Sequence, residues 1–150
     1  MVVDVLSQTV IDRPRAEVAA FAADPGNATA WYENIDSVVW ETEPPVSVGS
    51  RAAFVARFLG RTLSYTYEIR ELVSGEHLMM STADGPLPME TSYTWQDEPG
   101  GGTRMSLRNR GEPSGFAKVG AFVMEAAMRR ANAKDLKALK AILEGRRGAA

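Results

Sequence analysis

The sequence predicts an α+β domain in which an antiparallel sheet of seven strands curves around one long C-terminal helix. Seven segments rich in β-branched and aromatic residues alternate in polarity, which is typical of half-buried strands. The turns between the last six segments are too short for parallel crossovers, which need about a dozen residues. Finally, about thirty residues from Ser114 to Glu144 contain no proline and no turn cluster, as expected of a long helix.

The N-terminal part predicts one strand followed by two short helices. Residues 3–12 mix β-branched residues with rough alternation and form the predicted strand. Pro14 ends it and suits a first helical turn, where its missing N–H is not needed. Three apolar residues then share one face at helical spacing and predict a helix over residues 14–23: Val18, Phe21 and Ala22. A second helical turn over residues 28–34 carries Trp31.

Six further strands follow, separated by glycine and proline turn signals. They are predicted over residues 35–41, 51–59, 62–73, 76–82, 89–97 and 103–110. Alternation makes one sheet face aromatic and methionine-rich and leaves Thr, Ser, Glu and Arg on the other. The clearest case is the strand that places four residues on one side: Leu63, Tyr65, Tyr67 and Ile69. We expect this apolar face to meet the long helix.

The apolar positions of the long helix form two stripes. The early stripe contains Val119, Val123, Ala126 and Ala127, and the late stripe contains Leu136, Leu139 and Leu143. At 100° per residue the two stripes differ by more than a quarter turn. The helix is therefore predicted to bend, or to change its contact face, between Arg129 and Lys134.

Length and composition indicate a single domain without a metal or cofactor. The 150 residues suffice for one hydrophobic core, predicted over residues 1–145, with a flexible tail over residues 146–150. The absence of cysteine and the single histidine, His77, exclude thiolate and histidine-based zinc sites. The glycine run at residues 100–102 lacks the lysine and following helix of a phosphate-binding loop.

Charge and hydropathy limit the partners and the location. Residues 115–150 carry 8 Lys/Arg against 3 Asp/Glu, but the basic residues form the solvent stripe of an amphipathic helix without interleaved aromatics. We therefore expect no nucleic-acid partner. No segment approaches the eighteen apolar residues of a membrane span, and the first residues lack the pattern of a signal peptide. A cytoplasmic protein is expected, and a homodimer stays open.

Four short motifs occur in an order that resembles a known family. They are Ile11-Asp12-Arg13-Pro14, Asp24-Pro25-Gly26-Asn27 followed by Trp31, Gly102-Thr103-Arg104-Met105, and Asp135-Leu136-Lys137-Ala138-Leu139-Lys140. With the element order, they resemble the helix-grip fold of the START-like superfamily, specifically its bacterial polyketide cyclase/dehydrase and lipid-transport group. The resemblance covers nearly the whole chain. It implies a deep apolar cavity between the sheet and the long helix, which relatives use for lipids, sterols, hormones or aromatic polyketides.

The side chains that alternation places on the inner face of the sheet are expected to line such a cavity. The strands supply Phe54, Tyr67, Met89, Thr91, Tyr93, Trp95, Met105 and Asn109, and the early helix stripe supplies Val123 and Ala127. Methionine adapts to irregular shapes, and tyrosine and tryptophan join an apolar body to a polar tip. Trp31 is expected either to gate the cavity or to plug the end of the fold. No central strand carries a charged residue clearly on the inward side, so no catalytic residue is predicted.

The favoured function is binding of a small hydrophobic or amphipathic molecule in a central cavity, and whether the protein also transports or sequesters that molecule stays open. One alternative is an enzyme of the polyketide cyclase, aromatase or dehydratase type, and another is a protein-interaction module. An acidic or histidine side chain lining the cavity would favour the enzyme. A cavity filled by methionine and aromatic side chains would favour the interaction module.

Overall fold

The computed structural model describes residues 3–84, 88–112 and 120–145, and it confirms the predicted α+β fold class. The strands are β1 (Val3–Ile11), β2 (Ile35–Trp40), β3 (Arg51–Phe58), β4 (Arg61–Val73), β5 (His77–Asp84), β6 (Met89–Asp97) and β7 (Thr103–Gly111). The α-helices are α1 (Arg15–Ala22), α2 (Ala28–Trp31) and α3 (Ala121–Glu144). The ends of the strands agree with the predicted ones to within two residues, and those of β6 coincide with them.

The seven strands form one antiparallel sheet in the order β1-β7-β6-β5-β4-β3-β2. The pairing of β1 with β7 joins two strands that are distant in sequence, with Val3 opposite Gly111 and Ile11 opposite Thr103. The other pairings join strands that are consecutive in sequence, and each connection is shorter than the dozen or so residues that a parallel crossover needs.

The helix α3 is fastened to β1 near both ends. The backbone N–H of Asp4 donates to the Glu125 carboxylate at 3.0 Å, and that of Asp12 donates to the Glu144 carboxylate at 2.8 Å. Lys140 Nζ also donates to the backbone carbonyl of a β1 residue, Val10. These contacts fix the helix lengthwise along one side of the sheet, so that its buried stripe faces the concave surface.

The predicted assignment of strand faces is confirmed by burial. On β4, Leu63, Tyr67 and Ile69 are at most 9% exposed, whereas the intervening residues are more exposed. The same alternation holds on β3, β6 and β7. The apolar face of the sheet therefore forms the core and the concave wall beneath α3.

The predicted change of contact face in α3 is wrong. Val123 is 55% exposed and Ala126 is exposed, so these early-stripe residues do not face the sheet. A single stripe at spacings of three, four or one is buried instead: Met124, Met128, Asn132, Asp135, Leu136, Leu139 and Leu143. The prediction considered apolar residues alone and therefore left out Asn132 and Asp135, which connect the two ends of this stripe. The predicted helix start at Ser114 lies outside the described residues.

Candidate functional site

A cavity lies between the concave face of the sheet and the middle of α3. It has a volume of about 160 Å³ and is lined mainly by apolar and aromatic side chains of β3 to β6 and by Met124 and Met128 of α3. Arg57, which is exposed, and Phe58, which is half-buried, belong to the part of the wall nearest to solvent. A dry cavity of about 150 Å³ can hold one benzene-sized molecule. The cavity therefore has room for a ligand of about one ring.

Three aromatic rings on β3 and β4 form one wall of the cavity. Phe54 and Tyr65 are stacked, with their ring centroids 5.5 Å apart and their planes at 1°. Tyr67 meets both rings edge to face at 5.5 and 5.1 Å. The three side chains are brought together because Phe54 lies opposite Tyr65 in the β3–β4 ladder, and Tyr67 follows two residues along on the same face. The parallel rings of Phe54 and Tyr65 give this wall an aromatic, mainly apolar surface, which suits an aromatic or flat aliphatic ligand.

A chain of polar side chains crosses the cavity from the sheet to the helix. Tyr67 Oη lies 2.8 Å from Thr91 Oγ1, and Thr91 Oγ1 donates to Asn109 Oδ1 at 2.6 Å. Asn109 Nδ2 donates to Asn132 Oδ1 on α3 at 3.1 Å. Asn132 is 4% exposed, and its Nδ2 has no hydrogen-bond partner. The chain thus ends at Asn132, a residue of the cavity wall whose Nδ2 is a buried donor without a partner.

A second polar group on the cavity wall is a pair of tyrosines. The hydroxyls of Tyr32, just after α2, and Tyr93, on β6, lie 2.6 Å apart. Burial raises the pKa of both tyrosines well above the ordinary value, and the Asp135 carboxylate adds to the rise. Burial also raises the pKa of Tyr67 to about 12. All three hydroxyls are therefore protonated at neutral pH and can donate hydrogen bonds.

An acidic side chain, Asp135 of α3, also lines the cavity. It is 3% exposed, and its Oδ1 accepts a hydrogen bond from the backbone N–H of Glu33 at 3.0 Å. Burial raises its pKa from the ordinary 3.8 to about 6, because the bond from Glu33 offsets only part of the cost of desolvating the charge. Among the described residues that line the cavity, Asp135 is the one with a carboxyl group. Its pKa of about 6 lies closer to neutrality than that of an ordinary aspartate.

Six of the residues that were predicted to line the cavity do lie in its wall. They are Phe54, Tyr67, Met89, Thr91, Tyr93 and Asn109. All six are on strands, where a side chain's face follows directly from its position in the alternation.

The other five predicted residues lie outside the cavity wall. Trp31 is 2% exposed and packs behind Tyr32, with ring centroids 4.2 Å apart, which fits a plug rather than a gate. Trp95 faces a separate groove beside α1, and Met105 is fully buried in the core. Val123 points to solvent, and Ala127 is half-buried beside the stripe, because the buried face of α3 is the one that carries Met124 and Met128.

The sequence interpretation missed the helix residues that carry the polar chemistry. Asn132 and Asp135 lie at helical spacing from Met128 and Leu139, so the buried stripe could have been read through them. Tyr32 was missed because it follows a very short helix, where periodicity gives no signal. His77 forms a 2.9 Å contact with Glu71 and lies outside the cavity wall.

The described part of the chain lacks both a metal-binding cluster and a membrane-spanning helix. Residues 3–84, 88–112 and 120–145 contain no group of three or more His, Cys, Asp or Glu side chains placed to hold a metal ion. Within the same ranges, no helix is both long and apolar enough to cross a membrane.

Comparison with known proteins identifies one family and many similar folds. The family model described as polyketide cyclase / dehydrase and lipid transport matches residues 3–144. A comparison with curated protein sequences gives no significant match.

Solved structures share the fold at low sequence identity. The Zhui aromatase/cyclase from Streptomyces sp. R1128 has a TM-score of 0.78 at 15% identity, covering 97% of this chain and 96% of its own. The protein TTHA0849 from Thermus thermophilus has a TM-score of 0.78 at 20% identity, covering 91% and 94%. Major latex-like protein 151 from Panax ginseng has a TM-score of 0.72 at 14% identity, covering 93% and 96%.

Proposed function

Because the chain belongs to the polyketide cyclase / dehydrase and lipid transport family, we propose that its cavity binds a small hydrophobic or amphipathic molecule. The observation that carries this proposal is the cavity itself, which methionine and aromatic side chains surround without filling. An unfilled apolar space in a protein core forfeits dispersion contacts and therefore costs stability unless a ligand occupies it. This argues against a protein-interaction module, for which a filled core would suffice.

The composition of the wall supports a ligand that is mostly apolar with few polar atoms. Ligand sites are typically lined by hydrophobic and aromatic groups, with a small number of polar groups that fix the orientation of the ligand. Here the stacked rings of Phe54 and Tyr65 supply the apolar surface. Asn132, Asp135 and the Tyr32–Tyr93 pair supply the polar groups.

Binding can be tested with two compounds of matched shape, α-methylstyrene and acetophenone, titrated by ligand-observed NMR. We expect saturable binding with a Kd on the order of 10⁻⁴ M, which suits a ligand of one ring. The substitution Ala56→Leu adds bulk to the cavity wall, where Ala56 is 6% exposed, and should abolish the binding. The matched control Ala133→Leu changes an exposed position of α3 and should leave it intact. Non-saturable binding, or equal binding by both variants, would refute the proposal.

A specific observation also favours a second candidate, an enzyme of the cyclase type. The carboxyl of Asp135, with a pKa of about 6, is a base of suitable strength at neutral pH. Tyr32 and Tyr93 are protonated and line the same cavity as Asp135, and because one hydroxyl donates to the other, one hydrogen of the pair is free to donate. Asp135 would remove a proton from the carbon next to a ligand carbonyl, and a tyrosine hydroxyl would donate to the resulting enolate oxygen.

Proton exchange separates the enzyme from a carrier. Acetophenone has exchangeable methyl hydrogens, and NMR in D₂O measures their replacement by deuterium. If the protein is an enzyme, it should accelerate this exchange, and the rate should rise with pH through about 6. The Asp135→Asn variant should not accelerate the exchange. If acetophenone binds but its exchange is not accelerated, the enzyme candidate is refuted and the binding function remains.

A further inference from the structure

The polar chain that ends at Asn132 has a definite hydrogen-bond direction. A hydroxyl has one hydrogen to donate, and Thr91 donates its hydrogen to Asn109 Oδ1. Tyr67 must therefore donate to Thr91 in their 2.8 Å contact. Asn109 in turn donates from Nδ2 to Asn132 Oδ1, so all three hydrogen bonds point from the sheet toward the helix. The oxygens of Thr91, Asn109 and Asn132 each accept one hydrogen bond along the chain, and the group left without a partner is the donor Nδ2 of Asn132.

An unpaired amide donor at this depth carries a free-energy cost. Buried amide groups are nearly always hydrogen-bonded, and leaving one without a partner forfeits the hydration it had in water. Asn132 is 4% exposed, and leucine or methionine at its position would extend the apolar part of the helix stripe without an unpaired donor. A ligand with a hydrogen-bond acceptor that reaches Nδ2 would remove this free-energy cost. Asn132 therefore favours ligands that carry such an acceptor.

We propose that the cavity selects a one-ring, flat molecule bearing a carbonyl oxygen, which accepts a hydrogen bond from Asn132 Nδ2 while its ring lies against Phe54 and Tyr65. This inference rests on the proposed binding function and adds the chemical class of the ligand. The size follows from the cavity volume of about 160 Å³, and the flat shape follows from the stacked pair of rings. The carbonyl follows from the donor at the end of the polar chain.

Acetophenone and α-methylstyrene provide the test, because they differ only in a carbonyl oxygen against a methylene group. Their absolute affinities also differ through solubility in water, so the informative quantity is the ratio of the two Kd values. We expect Asn132→Leu to weaken acetophenone by about fivefold to tenfold relative to α-methylstyrene. The control Gln8→Leu removes a side-chain amide from the exposed side of β1 and should leave the ratio unchanged.

A measurement on the wild-type protein covers the case in which Asn132→Leu does not fold. In ¹⁵N-labelled protein, the side-chain amide resonances of Asn132 should shift downfield with acetophenone and respond much less to α-methylstyrene. If both compounds bind and neither the Kd ratio nor these resonances distinguish them, the carbonyl inference is wrong and the binding function stands. If neither compound binds the wild-type protein, the binding function fails and this inference fails with it.

Discussion

Replacing Asp135 by asparagine should stabilise the protein at neutral pH. Asparagine has nearly the same shape as aspartate, and its side-chain oxygen can still accept the hydrogen bond from the Glu33 backbone. The substitution therefore removes mainly the buried charge. Because Asp135 is 3% exposed, solvent screening of that charge is weak.

The size and pH dependence of the effect follow from the raised pKa. One pKa unit corresponds to about 1.4 kcal/mol. A rise from 3.8 to about 6 therefore corresponds to about 3 kcal/mol. Below pH 3.8 the group is protonated in the folded and unfolded states, and it does not affect stability. Between pH 3.8 and 6 the folded state binds more protons than the unfolded state, so stability falls as the pH rises, and above about pH 6 the full cost is present.

Urea denaturation of the wild type and Asp135→Asn at pH 4, 5, 6 and 7.5 measures this difference. The variant should gain about 1 to 3 kcal/mol of unfolding free energy at pH 7.5 and little at pH 4. The control Asp97→Asn alters an exposed carboxylate that pairs with Arg15 and should show no such pH-dependent gain. A variant that is less stable than the wild type at pH 7.5, or a difference independent of pH, would refute the reasoning. A confirmed gain would mean that the protein retains a destabilising charge in its cavity, as functional sites often do.

Three further predictions concern the core, the backbone and metal dependence. Leu139→Ala removes a fully buried side chain and should cost about 2 to 4 kcal/mol in urea denaturation, whereas the exposed Lys137→Ala should change stability by less than about 0.5 kcal/mol. Gly111 has φ +151°, and a Cβ there would come within 2.2 Å of the Pro88 carbonyl oxygen, so Gly111→Ala should lower the melting temperature while Gly120→Ala, with open space around it, should not. An equal effect of the two glycine substitutions would contradict the proposed clash. Dialysis against a chelator should leave the melting temperature unchanged, and a drop of several degrees would reveal a metal that stabilises the fold.

The fold was predictable because its signals are local. Alternation with a period of two assigns strand faces, and short glycine and proline turns require antiparallel neighbours. These two rules were enough to predict all seven strands and to place strand residues such as Phe54, Tyr67 and Tyr93 on the concave face. The local rules did not reveal where along a strand the cavity ends. Trp95 shares the parity of Tyr93 but lies beyond the cavity, in the groove beside α1.

The polar side of the candidate site depended on tertiary structure. A periodicity analysis treats polar residues as solvent-facing, so it rotated the predicted inner face of α3 toward Val123 and away from Asn132 and Asp135. Packing against the sheet decides the rotation of α3, since Met124, Met128 and Leu139 together bury more apolar surface than Val123 and its small neighbours could. The sequence by itself thus determined the sheet and its apolar face. Only the packing of α3 on that sheet brought a carboxyl and an unpaired amide into the cavity, because burial of the larger side chains carries the polar ones with them.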